Sequence, residues 1–333
     1  MKHANIAVFV PHNGCPNQCS FCNQRTISGT AKQPTPDDVA AACETAMRGG
    51  CDGAYVQLAF FGGSFTAIDR AYMLSLLEAA QPYIKSGFLN GGIRISTRPD
   101  FIDEEVLTLL KKCGVRAIEL GAQSMDDNVL ALNKRGHTAA DVESASKLIK
   151  AHGFELGLQM MTGLYSCDEN ESFMTAERFI ELKPDTVRIY PTVVLPGTLL
   201  AELYLSGEYK VHTLDQTVEI CSVLLEMFGK AGINVIRLGL HDQQDVREGY
   251  LAGGYHPALR ELCEGEIYYR KIRSALEGKP QGRYDITVSP QEISKAVGQK
   301  KKNIDRLAQC GYICKVHGDE RLERFEIRVK KCF

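Results

Sequence analysis

The sequence predicts an α/β protein: a partial (β/α) barrel of six units followed by a small α+β domain. Two observations predict the barrel. Six apolar, β-branched runs alternate with amphipathic stretches, and polar or glycine-rich residues stand just after each run, where barrel enzymes keep their chemistry. A third observation, the composition shift at "GKPQG" (Gly278 to Gly282), sets off the tail. The expected organisation is a barrel over 1–240, its C-terminal extension over 241–280 and a basic domain over 281–333.

The expected strands are Ile6–Val10, Tyr55–Phe61, Ile93–Ser96, Ala117–Leu120, Glu155–Met160 and Thr186–Tyr190. Helices between them are expected to start at Thr35–Asp38, where Pro36 suits a first turn, and at Asp69, Asp103, Thr138 and Glu169. With 333 residues, 44% hydrophobic and 24% charged, the chain can bury a full-sized core. Its first apolar run, Ile6 to Val10, is too short for a signal-peptide core or a membrane span. The expectation is a cytoplasmic protein with no membrane partner, in which clustered cysteines serve a metal or catalysis rather than disulfides. Of the twelve cysteines, Cys43, Cys51, Cys113, Cys221 and Cys263 read as small hydrophobes, and Cys310, Cys314 and Cys332 as ordinary packing or surface residues.

Charge is unevenly spread. The whole chain carries −2, yet from Lys295 to Phe333 eleven Lys or Arg stand against five Asp or Glu, a local +6. A stretch of that sign suits an RNA phosphate backbone.

The segment "GCPNQCSFCNQ" sets Cys15, Cys19 and Cys22 at Cys-x3-Cys-x2-Cys spacing, directly after the first strand. Zinc usually takes four protein ligands, and only His12 offers itself as the fourth. Iron–sulfur clusters also suit thiolates in a short loop and normally take four cysteines; three would leave one iron open.

That spacing, with Phe21 before the third cysteine, resembles the signature of radical S-adenosylmethionine (radical SAM) enzymes. The resemblance implies a 4Fe-4S cluster on Cys15, Cys19 and Cys22, with S-adenosylmethionine chelated at the open iron and cleaved to a 5'-deoxyadenosyl radical. It also implies an electron donor such as flavodoxin or ferredoxin. In "FFGGSFT", Gly62 and Gly63 leave backbone groups free for a ligand. The family uses this loop for the methionine amino group, and Ser64 stands where an acidic residue is common. Ser96 and Arg98 in "RISTRPD", Gln123 in "IELGAQS" and Gln159 in "LQMMTGL" follow at strand ends, suited to ribose, carboxylate or adenine edges. No catalytic residue beyond these is assigned.

Taken together, "FFGGSFT", "STRPD", "ELGAQS", "NKRGHT", "MMTGL", "VRIYPTVVLPGT", "LYLSGEY" and "GGYHPALRELCEG" resemble the radical SAM portion of the Elongator catalytic subunit family, from Ile6 to Ile272. This implies an RNA base, in tRNA or rRNA, as radical target, with Tyr190, Thr192 and Gly197 near the rim. Only about sixty residues follow Ile272, too few for that family's acetyltransferase domain, so an acyl group would come from an unknown partner. The tail resembles a K-homology (KH) domain, whose G-x-x-G loop clamps nucleic-acid backbone. Gly298 stands at the first glycine and Lys301 at the second, with Lys300, Lys302 and Arg306 as further phosphate contacts. Two other readings stay open: a catalytically silent iron–sulfur factor that binds RNA, and a radical SAM enzyme acting on a small molecule or a protein.

Overall fold

The computed structural model describes residues 3–11, 15, 18–22, 32–50, 54–240 and 249–332. Its first half repeats strand and helix: β1 (His3–Val10), α1 (Pro36–Arg48), β2 (Tyr55–Gly62), α2 (Arg70–Ala79), α3 (Gln81–Lys85), β3 (Ile93–Thr97), α4 (Glu104–Lys112), β4 (Val115–Gln123), α5 (Asp127–Leu132) and α6 (Ala139–Ala151). It continues through β5 (Glu155–Thr162), α7 (Glu169–Leu182), β6 (Thr186–Pro191), β7 (Val193–Val194), α8 (Leu199–Leu205), α9 (Leu214–Lys230), β8 (Asn234–Leu238), β9 (Ala252–Gly253) and α10 (Leu259–Leu276).

The helices begin where short polar side chains can take up first-turn N–H groups. Thr35 with Asp38, Thr138 with Asp141 and Thr213 with Gln216 form capping boxes, and Asp69, Asp103 and Asp168 each accept from the third residue on. Each such cap contributes about 1 kcal/mol.

Among the described residues the main sheet has seven parallel strands in the order β1-β2-β3-β4-β5-β6-β8. Six of them are the expected strands. The seventh, β8, is an outer strand that includes Asn234 and Arg237 and alternates in burial, so it lacks the unbroken apolar run of a strand covered on both faces. One contact measures the sheet's curvature. Phe61 on β2 and Arg188 on β6 are four strands apart, roughly 19 Å in a flat sheet, yet the guanidinium lies 5.2 Å from the ring centroid. The sheet is therefore curled into a half-barrel.

The two faces of the strands divide by polarity. Leu58, Phe60, Ile93, Ile95, Ile118, Leu120, Leu156, Leu158, Val187 and Ile189 pack outward into the core beneath the helices. The concave face is polar. Glu119 (3% exposed) receives Arg94 at 3.1 Å and Arg188 at 2.7 and 2.9 Å, and Arg94 also reaches Glu155. The Arg94–Glu155 and Arg188–Glu119 pairs join strands two apart in the sheet, and they cross over small residues. Ala117 lies in register between Arg94 and Glu155; Gly157 lies beside Glu119, and a Cβ there would come within 2.8 Å of the Glu119 side chain.

The C-terminal part comprises β10 (Gly282–Val288), α11 (Ile293–Val297), α12 (Lys302–Gln309), β11 (Tyr312–Gly318) and β12 (Arg328–Lys331), with strand order β11-β10-β12. β10 runs parallel to β11 and antiparallel to β12. Helix α10 serves two cores. Leu259, Cys263 and Ile267 belong to the barrel's, whereas Tyr268, Tyr269, Ile272 and Leu276 pack with Tyr284, Ile286, Val288, Ala296 and Leu307. Buried Asn303 reinforces the junction, its amide donating to the carbonyls of Gly265, Lys295 and Ala296. No described helix is long and apolar enough to cross a membrane.

Removing one partner of a buried charge pair leaves the other uncompensated. Glu119→Ala should therefore lower the unfolding free energy by about 3–5 kcal/mol, read from urea denaturation. Glu105→Ala, at a side chain 81% exposed, should stay within about 0.5 kcal/mol. Equal midpoints for the two variants would remove the Glu119 network from the account of the barrel.

Candidate active site at the cysteine loop

The first βα connection carries Cys15, Cys19 and Cys22, with Cys19 buried and the other two half-buried. Ser20 anchors it. Its backbone N–H donates to the Asn133 carbonyl at 3.1 Å, its hydroxyl donates to Asn133 Oδ1 at 2.6 Å, and its own carbonyl accepts from the Leu200 N–H at 2.8 Å. Asn133 is fully buried and spends its amide on the carbonyls of Val129 and Tyr165. Phe21 packs between the Leu200–Tyr209 cluster and the Met161–Leu164 cluster. The loop is thus pinned to the connections that follow β4, β5 and β6.

The second connection meets the loop from the other side. The Gly63 N–H donates to the Val10 carbonyl at 3.1 Å, and Gly62 adopts φ +125°, where a Cβ would lie 2.3 Å from that same oxygen. Only glycine fits. The Cys15 thiol is pushed up by burial and by Cys19 and drawn down by Arg98, Arg135 and the Ser64 backbone. The Ser64 hydroxyl is turned away, toward Thr97 Oγ1 at 2.9 Å and the Arg98 N–H at 3.2 Å.

The other sequence-derived positions stand as follows. Arg98 is buried and grips Asp100 with two bonds, leaving Nη1 without a partner. Ser96 donates to Glu119 at 3.4 Å, in the lumen network. Gln123, at φ 69°, accepts from Gln159 Nε2 at 3.1 Å, so these two amides meet at the ends of β4 and β5. Tyr190 OH pairs with Arg188 at 3.5 Å, and Thr192 is buried with its hydroxyl unpartnered. Gly298, Lys300, Lys301 and Lys302 form the tight turn between α11 and α12, far along the chain from these residues. Arg306 is stacked 3.4 Å over Tyr269 and paired with Glu266. His12 and Cys51 lie outside the described residues.

Residues of "NKRGHT" complete the site. Arg135, 7% exposed, donates from Nη1 to Cys19 Sγ at 3.1 Å and from Nη2 to the Gly121 carbonyl at 2.6 Å, and its Nε–H has no partner among the described residues. His137 bonds the Ala122 carbonyl through Nε2, and its pKa is lowered to about 4 by burial and by Arg135. It is neutral at physiological pH. The detectable signal was a cluster of polar residues in the short connection between α5 and α6; what the sequence does not show is which partner they meet.

Among the described residues no three His, Cys, Asp or Glu side chains converge at metal-ligand distances; binding a metal is what deprotonates and gathers such thiols. The donor set suits an iron–sulfur cluster. Three thiolates on a 4Fe-4S core carry net negative charge, and two buried guanidiniums with unpartnered N–H groups, Arg98 and Arg135, flank the loop.

Comparison with known proteins accords with this geometry. The radical SAM superfamily model matches residues 9–176, half of the chain, and the radical SAM C-terminal domain model matches 184–269. A tRNA uridine(34) acetyltransferase of Methanocaldococcus jannaschii is 33% identical over 234 residues, covering 65% of this chain and 42% of that protein. Elongator complex protein 3 of Homo sapiens is 32% identical over 228 residues, covering 62% and 41%. The chain thus spans about two fifths of the length of these relatives. Among solved structures, the N-terminally truncated Elp3 of Methanocaldococcus infernus superposes with a TM-score of 0.63 at 22% identity, covering 82% of this chain and 65% of that one. The chain belongs to the radical SAM superfamily, whose members work with a 4Fe-4S cluster and S-adenosylmethionine, and is homologous to the Elongator protein 3 group within it.

Proposed function

We propose that this chain is a radical SAM enzyme that modifies a base in structured RNA. The observation that carries the enzyme reading is the cysteine loop itself: three thiols at the C-terminal end of β1, flanked by two buried guanidiniums with N–H groups to spare. In this reading Cys15, Cys19 and Cys22 hold the cluster. Gly62, Gly63 and Ser64 offer backbone groups to the methionine end of S-adenosylmethionine, and Ser96, Arg98, Gln123 and Gln159 line its far side, with Phe21 closing the loop. Once bound, the pair supplies a 5'-deoxyadenosyl radical on one-electron reduction by a donor such as flavodoxin or ferredoxin. The chain's own residues hold the sulfurs, neutralise charge and shield the site from water.

The RNA reading rests on the turn between α11 and α12. Gly298, Lys300 and Lys301 all have positive φ, at 79°, 52° and 66°, and a left-handed backbone costs a non-glycine residue about 1–2 kcal/mol. Lysines that stay exposed at such positions are explained by what their ammonium groups meet, and phosphates answer to that chemistry. Lys302 pairs with Asp215 in the first turn of α9. Helices of a βα repeat begin at the C-terminal ends of the strands, so the turn stands beside the barrel's catalytic end. Lys302 and Arg306, paired with Asp215 and Glu266, brace it. The strand–helix–turn–helix–strand order supports a KH-like assignment, and the relatives named for uridine 34 make tRNA the first RNA to test, with any acyl donor a separate partner.

Anaerobic reconstitution should load about four irons per chain and yield 5'-deoxyadenosine from S-adenosylmethionine, and Ala at Cys15, Cys19 or Cys22 should abolish both. Full loading without cleavage would favour a catalytically silent iron–sulfur factor. The Lys300→Gly/Lys301→Gly double variant should keep or raise the unfolding midpoint while weakening tRNA binding, with the salt slope reduced by about 0.7 per lost phosphate contact. Unchanged affinity would detach RNA from the turn. Nucleoside mass spectrometry of tRNA and rRNA, with and without the gene, identifies the product; identical profiles would point to a small-molecule or protein substrate.

A further inference from the structure

Buried arginines elsewhere in the barrel have carboxylate partners: Arg94 has Glu119 and Glu155, Arg98 has Asp100, and Arg188 has Glu119. Arg135 differs. It is 7% exposed, its partners among the described residues are the Cys19 sulfur and the Gly121 carbonyl, and its Nε–H is unpartnered. A buried guanidinium without a counter-charge is costly, and the group in contact with it that can carry negative charge is the Cys19 sulfur.

The position is prepared by the fold. Arg135 follows Asn133, which holds Ser20, the residue next to Cys19, by two hydrogen bonds. The anchor and the guanidinium therefore move with the loop.

We propose that Arg135 is a positioning residue that raises the reduction potential of the cluster, by an N–H···S hydrogen bond to the Cys19 thiolate and by a positive charge that no carboxylate among the described residues neutralises. Reduction adds one electron, and so one negative charge, to the cluster. A guanidinium at one of its sulfurs stabilises that reduced form more than the oxidised one, and hydrogen bonds to sulfur are among the determinants of iron–sulfur potentials. The inference rests on Cys19 being a cluster ligand.

The test is a redox titration of the anaerobically reconstituted full chain, followed by the electron paramagnetic resonance signal of the reduced cluster, with iron and sulfide content measured alongside. At the potential that half-reduces the wild-type cluster, Arg135→Met should show a reduced-to-oxidised ratio at least tenfold lower, a downward shift of about 59 mV for one electron. Arg135→Gln keeps an amide N–H but no charge and should also shift downward, by less. It decides the matter if the Met variant loads poorly. A loaded variant with the wild-type midpoint overturns the role of Arg135 alone. A wild-type chain that takes up no cluster overturns the ligand assignment, and this inference with it.

Discussion

The half-barrel is organised around one carboxylate. Glu119 stands on the central strand of seven and draws guanidiniums from β3 and β6 onto the concave face. Two charges of one sign can be buried side by side only if an opposite charge lies between them. Its position therefore dictates others. Ala117 and Gly157 must be small for the long side chains to cross their strands, and Arg188 is held where it can lie over Phe61 from the opposite wall. The lumen beneath the cysteine loop is filled by ion pairs whose directions are fixed, rather than by apolar bulk that could repack, and Ser96, at the cofactor end, is tied into it through Glu119.

Much of this frame was legible in the sequence, because it follows from local chemistry. Thr35, Asp69, Asp103 and Thr138 cap the helices expected to start there, and the fifth begins at Glu169 as expected, capped by Asp168. Six strands were visible as apolar runs: five are covered on both faces, and β1, an outer strand with Asn5 and Ala7 exposed, still presents the apolar run Ile6 to Val10. β8 was not, because Asn234 and Arg237 interrupt its apolar pattern. The cysteine spacing, together with its place after the first strand, pointed to a thiolate donor set. Its environment was silent: Arg135 lies 116 residues from Cys19. Glu119 in "AIELG" and Arg188 in "TVRIY" are charged residues inside apolar strands, but their pair joins strands two apart in the sheet, which strand-by-strand reading does not reveal.

The basic tail was legible in sign and less so in distribution. Of its eleven cationic side chains, Lys295 and Arg324 are spent on Glu264, Arg306 on Glu266 and Lys302 on Asp215. Much of the positive charge is thus mortar between the tail and helices α9 and α10. The departure at Lys301 also changes meaning once its backbone is known. The left-handed conformation that a second glycine would supply is present, adopted by a lysine, so the turn keeps the backbone geometry and gains a cation.

Helix α10 carries one further consequence. Its first half is a barrel element and its second half the floor of the C-terminal core, and the helix runs unbroken from Leu259 to Leu276, through Gly265 and with no proline. The composition boundary near Gly278 is therefore not a boundary of cooperativity. Opening the C-terminal core would expose Tyr268 and Ile272 and fray the helix that covers the barrel, so the two should behave as one foldon in amide exchange. In the function proposed above, an RNA held by the lysine turn is then held at a fixed distance and angle from the cysteine loop, as by the two ends of a single rigid lever.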